Sequence, residues 1–334
     1  MKLFKFQKTT LLFLSSLITL QSCGGGNELG NDIDIPEMIS ISEIGLYPEG
    51  IDYNTITDEF LVGSIARSEV GIVDPETGTY TPFVSDPGLA SVTGVHTDEE
   101  RNRLLAVSGN LGFSANSDSN PSSLAYLGIY DLETGEIVRG FSLQELLEEG
   151  SAAFANDIAT DTDGNIYITD SFSPVIYKVD SNTFEASIFI DGADDFSADP
   201  GQFGLNGIVF IGDSLVVCKL DDGALFRIPL DNPEDFIRID APAFVGADGL
   251  EVDQNGDIVL VENSFGVNPG THVLTSSDGW QSASISSSFT VEADKFPTTA
   301  ALASDGNTYV LNAYLSLALS GDLSQETFTI LRTE

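Results

Sequence analysis

Apolar residues along this chain come in short runs separated by Gly, Asp and Asn, with no helical period. Ile166-Tyr167-Ile168, Leu215-Val216-Val217-Cys218, Ile258-Val259-Leu260-Val261 and Tyr309-Val310-Leu311 each follow a Gly-containing turn. Runs of this kind predict short strands. They belong to a repeated unit: a polar corner, a short strand, an Asp/Asn-Gly turn and a second, apolar strand. The unit is clearest from Ala247-Asp248-Gly249 through Asn255-Gly256 to Val261-Glu262-Asn263. It recurs from Asn156 through Asp163-Gly164 and from Thr298 through Asp305-Gly306, and in weaker form at Glu49-Gly50, Thr93-Gly94 and Asn206-Gly207. In the strong copies the turn Gly stands eight residues after the corner: 248 to 256, 156 to 164 and 298 to 306.

The corners stand at 49, 93, 156, 206, 248 and 298, so the steps between them are 44, 63, 50, 42 and 50 residues. Repeats of roughly 40–50 residues made of short strands and Gly turns predict propeller blades. The expected fold class is therefore all-β, a six-bladed β-propeller. The blades are expected near 44–84, 92–141, 154–191, 203–240, 245–291 and 296–331, with a last strand for blade six supplied by residues near Met38 to Ile44. Leu143 to Glu149 is the one stretch that reads as helical. Ser108 to Leu124 is a polar insertion in blade two, read either as a cover over one channel mouth or as a surface loop. Closing the ring brings the six corners, Glu, Thr, Asn, Asn, Asp and Thr, to one mouth of a central channel.

The N-terminus follows a different pattern. Lys2, Lys5 and Lys8 precede the apolar run Thr9 to Leu20, and Leu20-Gln21-Ser22-Cys23 is followed by three Gly. A basic start, a short apolar core and small residues make a secretory leader. The apolar run is shorter than the roughly 20 residues that span a bilayer. Leu-x-Ser-Cys resembles a bacterial lipobox, which implies lipidation of Cys23. The organisation expected is a leader over 1–22, a flexible tether over 23–40 and the propeller over 41–334. The protein is expected at the bacterial cell envelope, held at the outer membrane by its lipid alone, as a monomer.

Charge and cysteine usage narrow the function. Thirteen Lys and Arg against 52 Asp and Glu give a formal net charge of −39, which excludes nucleic acid as a partner. Cys218 is the only Cys besides Cys23, so no disulfide staples the domain, and Cys218 reads as a small buried hydrophobe. At the corners, Glu49, Asn156, Asn206 and Asp248 are strong oxygen donors. Hard cations such as Ca²⁺ take carboxylate and amide oxygens, whereas Zn²⁺ favours the His and Cys missing from these positions. The competing reading is that Asn-Gly and Asp-Gly are only strand-entry turns.

Pro48-Glu49-Gly50, Ala155-Asn156-Asp157, Leu205-Asn206-Gly207-Ile208 and Ala247-Asp248-Gly249-Leu250 resemble the signatures of the gluconolactonase/senescence-marker family, and those of the related paraoxonases and diisopropyl fluorophosphatases. The resemblance covers most of residues 44 to 331, with specificity only in the ring motifs. It implies a propeller with Ca²⁺ in its channel, ligated by Glu49, Asn156, Asn206 and Asp248. It also implies hydrolysis of lactones or related (phospho)esters on a small-molecule substrate, with Asp248 as base or nucleophile. Thr93, Phe154 and Thr298 would line the substrate pocket. Phe154 stands where gluconolactonases carry Arg, which points to a more apolar substrate, and Thr93 stands where paraoxonases begin a His pair. His96 reads as structural within its strand pattern. Glu251 and His272 resemble a second, structural calcium site. The alternative is a non-catalytic ligand-binding propeller of the envelope that keeps the fold without turnover.

Overall fold

The computed structural model describes residues 35–117, 123–199, 201–266 and 268–333. The leader and Cys23 lie outside them. Six sheets make six blades, five of them four-stranded and antiparallel and the third carrying a fifth, parallel strand, with inner strands Pro48–Asn54, Ser91–Asp98, Ala153–Thr160, Leu205–Ile211, Ala247–Val252 and Pro297–Leu302. Successive inner strands pack side by side around the channel, and the last returns to the first. The strand Met38–Ser42 pairs with Thr327–Arg332 as the outermost strand of blade six, so the chain's two ends close the ring together. Ile35 is already buried. The folded domain therefore begins before residue 41, and the tether cannot extend to residue 40.

The core is not a single centre but a set of seams between blades. Leu215 and Val217 pack toward blade three with Tyr167 and Ile176, while Val216 and Cys218 pack toward blade five with Leu250 and Ile258. Each middle strand is thus buried on both faces, which is why these strands read as unbroken apolar runs rather than alternating ones. The first hairpin turns are closed by an Asp: Asp253 Oδ1 accepts from Asn255 N (2.8 Å) and Asp257 N (2.9 Å), and Gly256 takes φ 81°. Asp161 does the same for Asp163 and Asn165. These are hairpin turns, not calcium loops.

Two local features differ from the sequence reading. Leu143–Leu146 is a single 3₁₀ turn, and short helices also form at Ala193–Phe196 and Leu315–Leu319. Phe196 in the first of these packs against Phe226, which draws the acidic link after blade three onto the fold. The blade-two insertion crosses to blade one, where Ala115 N donates to Ala66 O (2.9 Å) and Asn116 N to Ser68 Oγ (3.0 Å). It returns as Ser123–Leu124, paired in parallel with Ala153–Phe154 at the channel mouth.

Candidate functional site

Every inner strand breaks register at its polar corner: between Pro48 and Ile51, Val92 and Gly94, Ala155 and Ile158, Leu205 and Ile208, Ala247 and Leu250, and Pro297 and Ala300. The corners are therefore β-bulges inside the inner strands, not strand-entry turns. A bulge frees residues from the ladder and re-aims their side chains. Gly50, Gly94, Gly207 and Gly249 are absent from the positive-φ glycines, so their role is close approach rather than a left-handed turn. A Cβ on Gly94 would stand 2.7 Å from Asn156 O, and one on Gly50 would stand 2.8 Å from Thr93 O.

The bulges bring Glu49, Thr93, Asn156, Asn206 and Asp248 to the floor of one cavity. All five are at least nine-tenths buried. Glu49 Oε2 is buried without a hydrogen-bond partner. Burial, followed by the charges of Asp248 and Asp157, holds the Glu49 carboxyl well above the usual range. Burial pushes the Asp248 carboxyl up to about 7, against the hydrogen bonds from Asn263 and Asn206 that lower it. Two buried carboxyls facing one another without a counter-charge resist joint ionisation.

Two residues orient the ring from behind. Asn263 Nδ2 donates to Asp248 Oδ2 (2.8 Å), while its Oδ1 accepts from Phe265 N (2.9 Å), which fixes the amide's direction. Asn156 Nδ2 donates to Ser171 Oγ (2.9 Å), whose own proton goes to Leu205 O (2.6 Å). Ser171 can only accept from Asn156, so Asn156 Oδ1 is left free for the cavity. Sequence reasoning assigned neither residue a role, although both stand fifteen positions after their ring residue. That spacing, carried by the hairpin, is the signal that could have found them.

Ring backbone is latched from the preceding blade. Thr298 Oγ1 donates to Glu49 O (2.8 Å), Thr169 Oγ1 to Asn206 O (2.6 Å), and Cys218 Sγ to Asp248 O (3.0 Å). Thr298 was expected in the substrate pocket. It is fully buried, does not line the cavity, and gives its hydroxyl to Glu49 O. Thr93 does line it, although its hydroxyl donates to Ala155 O (2.8 Å). Phe154 lines it too, 5.3 Å from Phe203 and 5.1 Å from Phe172 between ring centroids.

Glu251 and His272 do not meet. Glu251 faces a second cavity at the other end of the channel, with Asp52, His96 and Asp157. His272 lies two strands outward in blade five, where Nε2 contacts Glu262 Oε2 (3.2 Å) and Nδ1 contacts Ser288 Oγ (2.8 Å). Both ring nitrogens are taken up inside the blade, so this pair forms no ion site. His96 bridges blades, with Nδ1 3.4 Å from Asp52 Oδ2 and Nε2 3.0 Å from Thr160 Oγ1, as a structural residue would. Among the described residues no three His, Cys, Asp or Glu side chains gather as a metal cluster. The ring is a different kind of donor set: two carboxylates and two amides.

No protein-family model matches the sequence, and no curated protein matches it. Solved structures do match. The major allergen Mala s 1 of Malassezia sympodialis superposes with a TM-score of 0.72 at 19% identity, covering 90% of this chain and 96% of that one. This chain has the same propeller fold. A gluconolactonase from Xanthomonas campestris matches with a TM-score of 0.58 at 13% identity over 89% of each chain. A luciferin-regenerating enzyme matches with a TM-score of 0.59 at 12% identity, covering 89% of this chain and 95% of that one. These neighbours include the kinds of propeller that the ring motifs resemble.

Proposed function

We propose that the protein is a cation-dependent hydrolase of lactones or related esters, with its reaction centre at the floor of the upper cavity. The observation that carries this reading is the convergence of Glu49, Asn156, Asn206 and Asp248 from four blades, with Glu49 Oε2 buried and unpartnered. An all-oxygen set of two carboxylates and two amides suits a hard divalent ion such as Ca²⁺ and not Zn²⁺. When bound, such an ion supplies Lewis-acid polarisation of a carbonyl or phosphoryl oxygen. Asp248, steered by Asn263, takes a proton from the attacking water or attacks the acyl carbon itself. In the first course that proton passes to the departing alkoxide; in the second the alkoxide leaves with a proton from solvent, and water then hydrolyses the acyl-aspartyl anhydride to restore Asp248. Thr93 and Phe154 flank the substrate.

The test is turnover of a lactone and aryl-ester panel with and without chelator. Chelator-sensitive turnover, lost in Asp248→Asn while calorimetry still detects ion binding, is the expected result. Turnover indifferent to chelator would overturn it. A folded, ion-loaded protein inert on the whole panel would favour a ligand-binding propeller. One observation already leans that way: no His lines the cavity, since His96 sits at the other end of the channel. Lipid attachment at Cys23 and a place at the outer-membrane surface complete the proposal, testable by metabolic labelling of wild type and Cys23→Ala with a fatty-acid analogue.

A further inference from the structure

The cavity is polar only at its floor. Its walls are Ile65, Leu111, Leu220 and Leu315 together with aromatic rings, and no Lys, Arg or His lines it. An anionic ligand would find no Lys, Arg or His on the walls, and the charge of a divalent ion on the ring is already balanced by the carboxylates of Glu49 and Asp248. A polyhydroxylated ligand would press its hydroxyls against rings and aliphatic side chains that offer no partner.

The walls are also unequal. On the side of blades three and four, Phe154, Phe172 and Phe203 pack on one another with centroids 5.1–5.3 Å apart and close the wall. On the side of blades five and six the wall opens to the surface. Phe265 rests edge-on against buried Phe296, 5.0 Å between centroids, yet is 52% exposed, and Leu319 at the end of the short helix is 45% exposed. Two more apolar side chains, Val245 and Leu323, are also exposed. Val245, 46% exposed, has its carbonyl against Gly266, and Leu323, 38% exposed, has its carbonyl against Gly45.

We infer that this site takes a neutral ester or lactone bearing a hydrocarbon arm, and that the arm leaves the ring along Phe296, Phe265, Leu315 and Leu319. The inference rests on the ring being the reaction centre and names the substrate class that the walls select. Phe265 and Leu319 are the specificity-determining residues, because they cover the arm rather than the reacting group. Each buried methylene should tighten binding by roughly fourfold until the arm passes the lip.

The test uses the full chain and N-phenyl-1-naphthylamine, a neutral apolar fluorophore, as the reporter of cavity occupancy. Its competitors are γ-lactones with alkyl arms from none to eight carbons, gluconolactone, and a fatty-acid anion of matching length. Displacement should strengthen by threefold to fourfold per methylene, with gluconolactone and the anion at least tenfold weaker than the longest lactone. Leu319→Ser and Phe265→Ser, both at exposed positions, should flatten that slope while their melting temperatures stay near wild type. A flat wild-type slope, equal competition by gluconolactone, or no binding of the fluorophore overturns the inference. Turnover of the same lactones is read separately. If none is hydrolysed while chain-length-dependent displacement persists, the hydrolase reading falls and the ligand class stands.

Discussion

Gly207→Ala should spread the ring apart. Gly207 follows Asn206 in the bulge of blade four and packs against the bulge of blade five. A Cβ there would stand 2.7 Å from Leu250 N and 2.8 Å from Gly249 C, and nearer still to Asp248 O. All three are backbone atoms of an inner strand, so no side chain can turn away. Ordinary contacts begin near ~3.5 Å, so the two strands must part by roughly an ångström in an interior that compresses little. Overpacking costs about 1–3 kcal/mol, and three backbone clashes put this case at the upper end, about 3 kcal/mol. At an unstrained site the same change would stabilise by about 0.4–1 kcal/mol through the unfolded chain, so even the sign is diagnostic. For a domain of about 300 residues the unfolding entropy is about 0.6 kcal/mol per degree, so the melting temperature should fall by about 5 °C. Because the clash lies between Asn206 and Asp248, affinity at the proposed cation site should fall with it. Gly256→Ala is the control: φ is 81° with nothing within 4 Å of its Cβ, so only the left-handed strain of about 1–2 kcal/mol remains. Scanning calorimetry with and without Ca²⁺ reads both. A Gly207→Ala protein that melts at or above wild type, or that loses no more than Gly256→Ala, would refute the close-approach argument.

Three further outcomes are expected. Ser171→Ala strips the acceptor from Asn156 and the donor from Leu205 O. It should cost about 1–3 kcal/mol in a denaturant titration and weaken Ca²⁺ binding by calorimetry, and unchanged affinity would remove Ser171 from the ring's support. Tyr177→Phe deletes the hydroxyl donating to Oδ2 of the buried Asp170 (2.7 Å), whose Oδ1 already serves Phe154, Phe172 and Ser173 N–H. A loss of about 1–3 kcal/mol is expected, and a shift within error would contradict it. Burial disfavours charge on His96, but its hydrogen bond and attraction to Asp52, with Asp157 and Asp98 behind, raise its pKa overall. A raised His pKa stabilises fully below the unfolded value near ~6.5 and is lost as pH climbs through the folded value. Urea midpoints should therefore decline above about pH 6.5 in wild type and lose that component in His96→Gln. Parallel profiles for the two proteins would discount the bridge.

The blade pattern was legible in the sequence because each middle strand is buried on both faces and the first hairpin turns of blades three, five and six use an Asp or Asn before a Gly. Those demands leave apolar runs and turn pairs at a spacing that repeats. Ring membership was legible for the same reason: a bulge at one register of each blade puts a polar residue where a core residue would otherwise be. What did not show was the direction of small side chains at that register. Thr93 and Thr298 occupy equivalent positions and both give their hydroxyls to a neighbouring blade's carbonyl, yet only Thr93 borders the cavity. Glu251 and His272 seemed a pair by analogy, but strand pairing sets them two strands apart, and a linear spacing does not register that. Asn263 and Ser171 were hidden for the opposite reason. They sit at strand ends, where a polar residue is ordinary, and only the ring beside them gives their hydrogen bonds meaning.

The latches explain how a ring can hold two buried carboxyls in one place. A bulge takes its carbonyls out of the ladder, and a buried carbonyl left alone is costly. In blades one, four and five that carbonyl is satisfied by a donor from the blade before it, Thr298, Thr169 and Cys218 in turn. The side chains of Glu49, Asn206 and Asp248 are thereby released from any structural duty to their own backbone. Blades six, three and four thus fix the backbone of their neighbour's ring residue, and the position of Asp248 depends on Cys218 of blade four as well as on Asn263 of blade five. Repulsion between Glu49 and Asp248 cannot be relieved by one bulge relaxing, because its carbonyl is tied across the seam to a strand buried on both faces. The remaining relief is a proton or a positive charge supplied from the cavity, which is the property a cation site requires.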